Sequence, residues 1–281
     1  MSLAFTKMHG LGNDFVVIDA TQQGFQPQIA QLSALANRRR GVGCDQILVI
    51  DPPPEGDTSI DFGYRIYNAD GSQVGQCGNG VRCLARYVHD HKLSDKATLR
   101  VRTCNAAMTT EFLGEDRVRV DMGVPNFEPA AIPLDTPARA FRYSLQLEDG
   151  TQVHFGAVSM GNPHAVVEVA DVDTAPVQAL GPPVQQNAVF PEQANIGFVQ
   201  FVGQARIRLR VFERGAGETQ ACGSGACAAM AVGRIWNRLD SHCTVAVHGG
   251  ELDIAWEGEG HTLWMTGPAT PVFEGHIEWQ N

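Results

Sequence analysis

Lysine is nearly absent from this 281-residue chain: Lys7, Lys92 and Lys96 are the only ones. A pyridoxal phosphate enzyme needs a lysine for its Schiff base, and only Lys7, beside MHGLGND, stands near a glycine-containing turn. Chemistry without a cofactor is the better expectation. The seven cysteines include no CxxC pair, the spacing usual in a structural zinc site, so no metal is expected, and their odd number favours reduced thiols. No apolar run approaches the roughly 18 residues of a membrane span. Lys7, His9, Asn13, Asp14 and Asp19 interrupt the N-terminal stretch where a secretory signal would be continuously apolar, so a cytoplasmic protein with no membrane partner is expected. Excess positive charge is missing too. A formal net charge of -10 argues against a broad phosphate-binding face and against nucleic acid as a partner.

What is present is a repeat. RIYNADGSQVGQCGNG, residues 65–80, lies over RVFERGAGETQACGSG, residues 210–225, without a gap; the offset is 222 minus 77, or 145. Arg65 falls on Arg210, Asn68 on Glu213 and Cys77 on Cys222. GNDFVVI from Gly12 likewise resembles GNPHAVVEV from Gly161, and QILVI from Gln46 resembles NIGFVQF from Asn195, both at an offset of 149. Two copies of one unit predict two similar lobes with their cysteine loops facing each other across a cleft. The expected N-terminal lobe is 1–122, joined by the C-terminal segment 268–281, and the expected C-terminal lobe is 123–267. The join falls near GVPNFEPAAIPLDTP, residues 123–137, while PPPEG at 52–56 and GPPVQQ at 181–186 read as surface loops.

IDFGYRIY, TLRVRT, RVRVDM, ARIRLRVF, TVAVHG and ELDIAW have strand composition, and several alternate strictly. In ARIRLRVF, Ile207, Leu209 and Val211 share one face and three arginines the other, which predicts antiparallel sheet. Each cysteine loop opens a helix. Val81, Leu84, Ala85 and Val88 recur at the spacing of one helix face, and ACAAMAVGRIW is apolar nearly all round. The expected class is α+β: two lobes, each of antiparallel strands wrapped around a buried helix, with the active site in the cleft between them.

A helix start carries backbone N–H groups without intrahelical acceptors and the positive end of the peptide dipole, so anions collect there. A cysteine at that position is expected to have a pKa below the ordinary value of about 8.5. Glycine beside it lets an anionic ligand approach the N–H groups. Two such sites gripping one carboxylate would present a sulfur to each face of the adjacent carbon. That arrangement suits inversion: one thiolate removes the α-proton and the opposite thiol returns one, with the helix N–H groups stabilising the enolate-like carboxylate.

These residues carry a resemblance along essentially the whole chain to the diaminopimelate epimerase family. The signatures are FTKMHGLGNDFVVID at 5–19, RRRGVGCDQ at 38–46, YNADGSQVGQCGNGVRC at 67–83, GNPHAVVEV at 161–169 and ERGAGETQACGSGA at 213–226. The resemblance implies cofactor-independent interconversion of LL- and meso-2,6-diaminoheptanedioate, a small diamino dicarboxylic acid, in lysine and peptidoglycan precursor synthesis, by a homodimer. It implies Cys77 and Cys222 as acid and base, and His164 and Glu213 as groups that adjust their pKa values. Gly78, Asn79, Gly223 and Ser224 correspond to donors to the reacting carboxylate. Asn13, Gln46, Asn68, Asn162, Asn195, Glu213 and Arg214 correspond to substrate contacts. Phe273 stands where some members have a tyrosine linked to dimer contact.

Blander readings compete. Cys44, Cys83, Cys104, Cys227 and Cys243 lack the duplicated helix-start context and read as structural thiols. His89 and His91 in HDH read as solvated, and Arg38 to Arg40 as a helix C-terminus complementing its dipole. A proline racemase-like enzyme is the nearest functional alternative, although Glu213, Arg214 and the asparagines favour a substrate with a second charged centre. A cysteine hydrolase using His164, or a redox sensor, leaves the second cysteine loop unexplained.

Overall fold

The computed structural model describes residues 2–75 and 77–279; Gln76 of QCGNG and the last two residues of 268–281 lie outside the described residues. The chain divides into two compact units, Met1–Asp121 with Thr266–Asn281, and Met122–Met265.

In the first unit, β1 (Ser2–Gly10) and β2 (Asn13–Asp19) form an antiparallel hairpin with Thr6 opposite Val17. Helix α1 (Ile29–Ala36) carries the chain to β3 (Gln46–Asp51), which lies parallel to β2 with Phe15 opposite Gln46. β4 (Phe62–Asn68) and the short β5 (Gln73–Val74) return antiparallel. Helix α2 (Gly78–Asp90) then crosses to β6 (Thr98–Arg102), parallel to β4, and β7 (Ala107–Phe112) and β8 (Arg117–Asp121) follow antiparallel. The C-terminal strand Thr270–Glu278 pairs antiparallel with β1.

The second unit repeats this order. After β9 (Tyr143–Gln146) and β10 (Gln152–Ser159) come β11 (Pro163–Glu168), α3 (Val177–Gln185) and β12 (Asn195–Gly203), with β11 and β12 parallel. β13 (Arg206–Glu213) and β14 (Gly217–Glu218) are antiparallel neighbours. Helix α4 (Gly223–Ile235) leads to β15 (His242–Val247), parallel to β13, and β16 (Gly250–Ala255) closes the series.

Most pairings are antiparallel as expected, but among the described residues each unit also contains two parallel pairings that the alternation did not predict. Parallel neighbours need a long crossover, and the four helices supply one each. Burial on both faces explains why FVVI and QILVI are continuous rather than alternating. Val16, Ile18, Ile47 and Val49 pack into the cluster containing Leu32 and Leu35 of α1, while Phe15, Val17, Leu48 and Ile50 on the opposite face are equally buried. ARIRLRVF does alternate, with Ile207, Leu209 and Val211 buried.

GPPVQQ is also corrected, because it forms the second half of α3 and not a loop. Pro182 and Pro183 each remove an N–H donor from the helix. Val177 and Val184 are nevertheless buried in the second unit's core, and a Cβ on Gly181 would come within 2.6 Å of the Phe212 ring. That packing outweighs the two lost donors. PPPEG is an exposed loop. Arg38 to Arg40 lie in a turn beyond α1, whose C-cap is Asn37.

Candidate active site

α2 and α4 are both 13 residues long, and each has a cysteine as N-cap in extended backbone conformation: Cys77 at φ -145° and Cys222 at φ -118°. A tight turn sets the asparagine of each unit. Gly12 and Gly161 share φ +85°, a left-handed geometry that favours glycine, and each immediately precedes its asparagine, Asn13 or Asn162.

In the first unit, Cys77 Sγ accepts a hydrogen bond from the Gly80 N–H at 3.4 Å and lies 3.9 Å from Asn13 Oδ1. Asn79 Nδ2 donates to the same Oδ1 at 3.2 Å. Gln46 and Asn68 are cross-strand partners, and Gln46 Nε2 donates to Asn68 Oδ1 at 3.0 Å. Gly78 and Asn79 occupy the first two helical positions, where backbone N–H groups lack intrahelical acceptors. Asn13, Cys77 and Asn79 are therefore in contact, with the Gln46–Asn68 pair on the adjoining strands.

In the second unit, His164 and Asn195 are opposite each other on β11 and β12. His164 Nε2 meets Asn162 Oδ1 at 3.0 Å, Asn162 Nδ2 donates to Ser224 Oγ at 3.4 Å, and Ser224 Oγ lies 3.6 Å from Cys222 Sγ. Gly223 and Ser224 are the first residues of α4. Asn195 Oδ1 accepts the Arg214 backbone N–H at 2.9 Å, and Arg214 Nη1 donates to the Glu192 carbonyl at 2.9 Å. Glu213 Oε1 accepts from Thr219 Oγ1 in a short hydrogen bond, a partner that sequence reasoning did not anticipate.

The expected lowering of both cysteine pKa values fails for Cys222. Burial pushes its thiol well above the ordinary range, and the Glu213 carboxylate pushes it further; hydrogen bonds from Ser224 and the Gly225 N–H oppose these effects without reversing them. A helix start stabilises a thiolate only if removal from water does not cost more. His164 is buried as a neutral ring: burial, reinforced by the Arg214 charge, lowers its pKa to about 3. It is therefore a hydrogen-bond partner of Asn162 rather than a resident cation.

Among the thiols read as structural, Cys44, Cys83, Cys227 and Cys243 are buried and Cys104 is exposed. His89 stacks on Phe112 and His91 on Tyr87, and both residues are exposed, as their solvated reading expects. Among the described residues, no group of His, Cys, Asp and Glu is arranged to hold a metal ion.

The chain matches the diaminopimelate epimerase family over residues 5–128 and 156–272. It is 53% identical over 280 residues to the diaminopimelate epimerase of Nitrosospira multiformis, covering 100% of both chains. Its fold resembles that of a probable proline racemase from Agrobacterium radiobacter K84, with a TM-score of 0.74 at 13% identity, covering 99% of this chain and 93% of that one. A PhzF-family phenazine biosynthesis protein from Bacillus anthracis shares it with a TM-score of 0.67 at 16% identity, over 99% and 100% of the two chains. Both halves of the repeat, each with a cysteine-capped helix, fall within the matched segments, and the chain belongs to the diaminopimelate epimerase family.

Proposed function

We infer that the protein interconverts LL- and meso-2,6-diaminoheptanedioate by proton removal and return at one α-carbon, with Cys77 and Cys222 as the two acid–base groups. The observation that carries this reading is the duplicated cysteine N-cap on a 13-residue helix, within a chain 53% identical to a diaminopimelate epimerase. Cys222, buried beside Glu213, rests as the thiol and is suited to deliver a proton. Cys77 is less buried and accepts the Gly80 N–H, which suits the base for the same direction. In the reverse direction the roles exchange. An α-carbon proton is far less acidic than a thiol, so the developing enolate-like carboxylate needs donors; the helix-start N–H groups around Gly78, Asn79, Gly223 and Ser224 supply them.

Asn13, Gln46, Asn68, Asn162, Asn195, Glu213 and Arg214 act as substrate contacts. Arg214 is suited to a carboxylate and Glu213 to an ammonium, which a proline-type substrate would not supply at a second centre. The expected setting is the cytoplasm: no helix among the described residues is long and apolar enough to cross a membrane. The expected assembly is a homodimer, and the exposed apolar side chains Val272 and Phe273 offer a surface for it.

The test is incubation of reduced protein with LL-diaminopimelate in D2O without added cofactor. Inversion accompanied by deuterium at the α-carbon supports the reading. Hydrolysis, or neither inversion nor exchange, defeats it.

A further inference from the structure

Asn13 and Asn162 occupy equivalent positions in the two copies, but different neighbours orient their amides. Asn162 Oδ1 is bonded to His164, and its Nδ2 is directed at Ser224 on the first turn of α4. Asn13 has the opposite sense: its Nδ2 donates to Asp45 Oδ2 at 3.1 Å, and its Oδ1 is directed at Asn79 and Cys77. A carboxylate can only accept, so the Asn13 atom facing Asp45 must be the nitrogen. The equivalent of Asp45 in the second copy, at the offset of 149, is Ala194.

Asp45 is itself held from several sides. Arg38 Nη2 donates to Asp45 Oδ1 at 2.6 Å and to Asp14 Oδ1 at 2.6 Å, and Arg38 Nη1 donates to Asp14 Oδ2 at 2.9 Å. The Asp14 N–H donates to Asp45 Oδ2 at 3.1 Å, and the Asp45 N–H donates to Asp14 Oδ1 at 2.9 Å. Lys7, a buried lysine, pairs with Asp14 at 2.6 Å and donates to the Gly43 carbonyl in a short hydrogen bond. Burial alone would raise the Asp14 pKa, but the hydrogen bonds from Arg38 and Lys7 outweigh it, so this carboxylate stays ionised. The network joins β1, β2 and the turn before β3 into one charged clamp beneath the Asn13 amide.

We propose that Asp45 is a positioning residue of the active site: clamped by Arg38 and Asp14, it fixes the Asn13 amide so that its oxygen faces the reacting end of α2. The inference rests on the epimerase reading, in which Asn13 touches substrate. Its chemical consequence is a difference in polarity. The first unit presents an acceptor there, suited to an ammonium or another donor on the ligand; the second presents the Asn162 NH2, suited to an acceptor. Lys7 joins the same clamp through Asp14, and Arg38 bonds both carboxylates directly.

A double-mutant cycle tests the proposal, because residues that act through one another are non-additive. Asp45→Asn removes the charge that demands an N–H and leaves the Asn13 amide able to turn. It is expected to lower kcat/KM by about tenfold, the scale of one hydrogen bond to a charged group. Asn13→Ala is expected to cost at least as much, and adding Asp45→Asn to it should cost nothing further. Independent, multiplicative losses would overturn the proposal, since Asp45 would then act on stability or on another residue. In the swap Asn13→Asp with Asp45→Asn, donor and acceptor exchange places while the oxygen towards α2 is kept. That pair should recover activity lost in Asn13→Asp alone, and no recovery counts against the proposal. A second readout needs no turnover. In heteronuclear NMR spectra the side-chain amide signal that disappears in Asn13→Ala should exchange slowly with solvent in the unmutated protein and faster in Asp45→Asn. Unchanged exchange overturns the clamp, whereas an inactive unmutated protein with the expected exchange behaviour defeats the epimerase reading instead.

Discussion

Cys77 and Cys222 cap equivalent helices in two copies of one supersecondary unit, but their surroundings differ. Cys222 is buried and has a carboxylate, Glu213, nine residues before it; Cys77 is partly exposed and has the neutral Asn68 at the same separation. The Tyr64 hydroxyl lies against Gly80 in the first turn of α2, whereas the residue at the offset of 145 is Leu209, which has no hydroxyl, and Val211 lies against Gly225 of α4. The two copies thus have equivalent helix starts, and their different neighbours leave Cys222 buried as a protonated thiol and Cys77 accessible. The proposed two-base reaction would call on such a difference, because a base must lack the proton that its acid partner holds.

The largest expected effect comes from removing either member of the pair. Cys77→Ala and Cys222→Ala should each lower epimerisation by about 1,000-fold or more, the scale of losing a general acid or base, while circular dichroism stays native. Substantial inversion by either variant would break the two-thiol scheme. Chemical labelling sharpens the inequality. In a Cys104→Ser background, which removes the exposed thiol, iodoacetamide at neutral pH should modify Cys77 well before Cys222, because burial and Glu213 keep Cys222 protonated. Peptide mapping that finds Cys222 labelled first would reverse the assignment.

The pH dependence of stability tests the second copy alone. His164 has a folded pKa of about 3 against an ordinary 6.5, so between these values the unfolded chain holds a proton that the native protein does not. Stability should therefore fall as the pH drops from 6.5 towards 3, by up to about 1.4 kcal/mol per pH unit from this residue. Urea unfolding midpoints should show this slope, and His164→Gln should flatten it; an identical slope in the variant would show that His164 is not its source. The smallest expected effect compares the two helix starts directly. A Cβ on Gly80 would lie 2.2 Å from Tyr64 Oη, whereas one on Gly225 would meet Val211 Cγ2 at 3.0 Å. Gly80→Ala should destabilise by about 1–3 kcal/mol through overpacking. Gly225→Ala should be nearly neutral, since the better helix propensity of alanine offsets a milder contact. Adding Tyr64→Phe should remove most of the Gly80→Ala penalty. The buried Tyr64 hydroxyl has no hydrogen-bond partner among the described residues, so deleting it costs little.

The repeat, both cysteine helices and the alternating strands were legible because each is encoded locally. The ungapped match around Cys77 and Cys222, the 3.6-residue spacing of Val81, Leu84, Ala85 and Val88, and the alternation in ARIRLRVF all lie within short windows. The parallel pairings were not legible, since FVVI and QILVI have the same composition in any doubly buried strand and pairing direction depends on the crossover between them. GPPVQQ misled for a related reason. Two prolines read locally as a breaker, whereas the buried face of α3 is a property of the packed unit. Asp14, Arg38 and Asp45 had a faint signal, acidic residues in GND and GCDQ with arginines nearby, but only the folded strands bring these charges within hydrogen-bond distance.

Amino-acid order by itself determined the duplicated unit, the identity of the two capping cysteines and the acceptor or donor chemistry available around each, because these depend on residue type and near-neighbour spacing. Tertiary structure alone decided how those groups are tuned. Burial raised the Cys222 pKa against the helix dipole, neutralised His164, and set the amides of Asn13 and Asn162 in opposite senses. Desolvation and hydrogen-bond partnership are properties of the space around a side chain, filled by residues distant in the chain, and so they appear only when the strands have paired and the helices have packed.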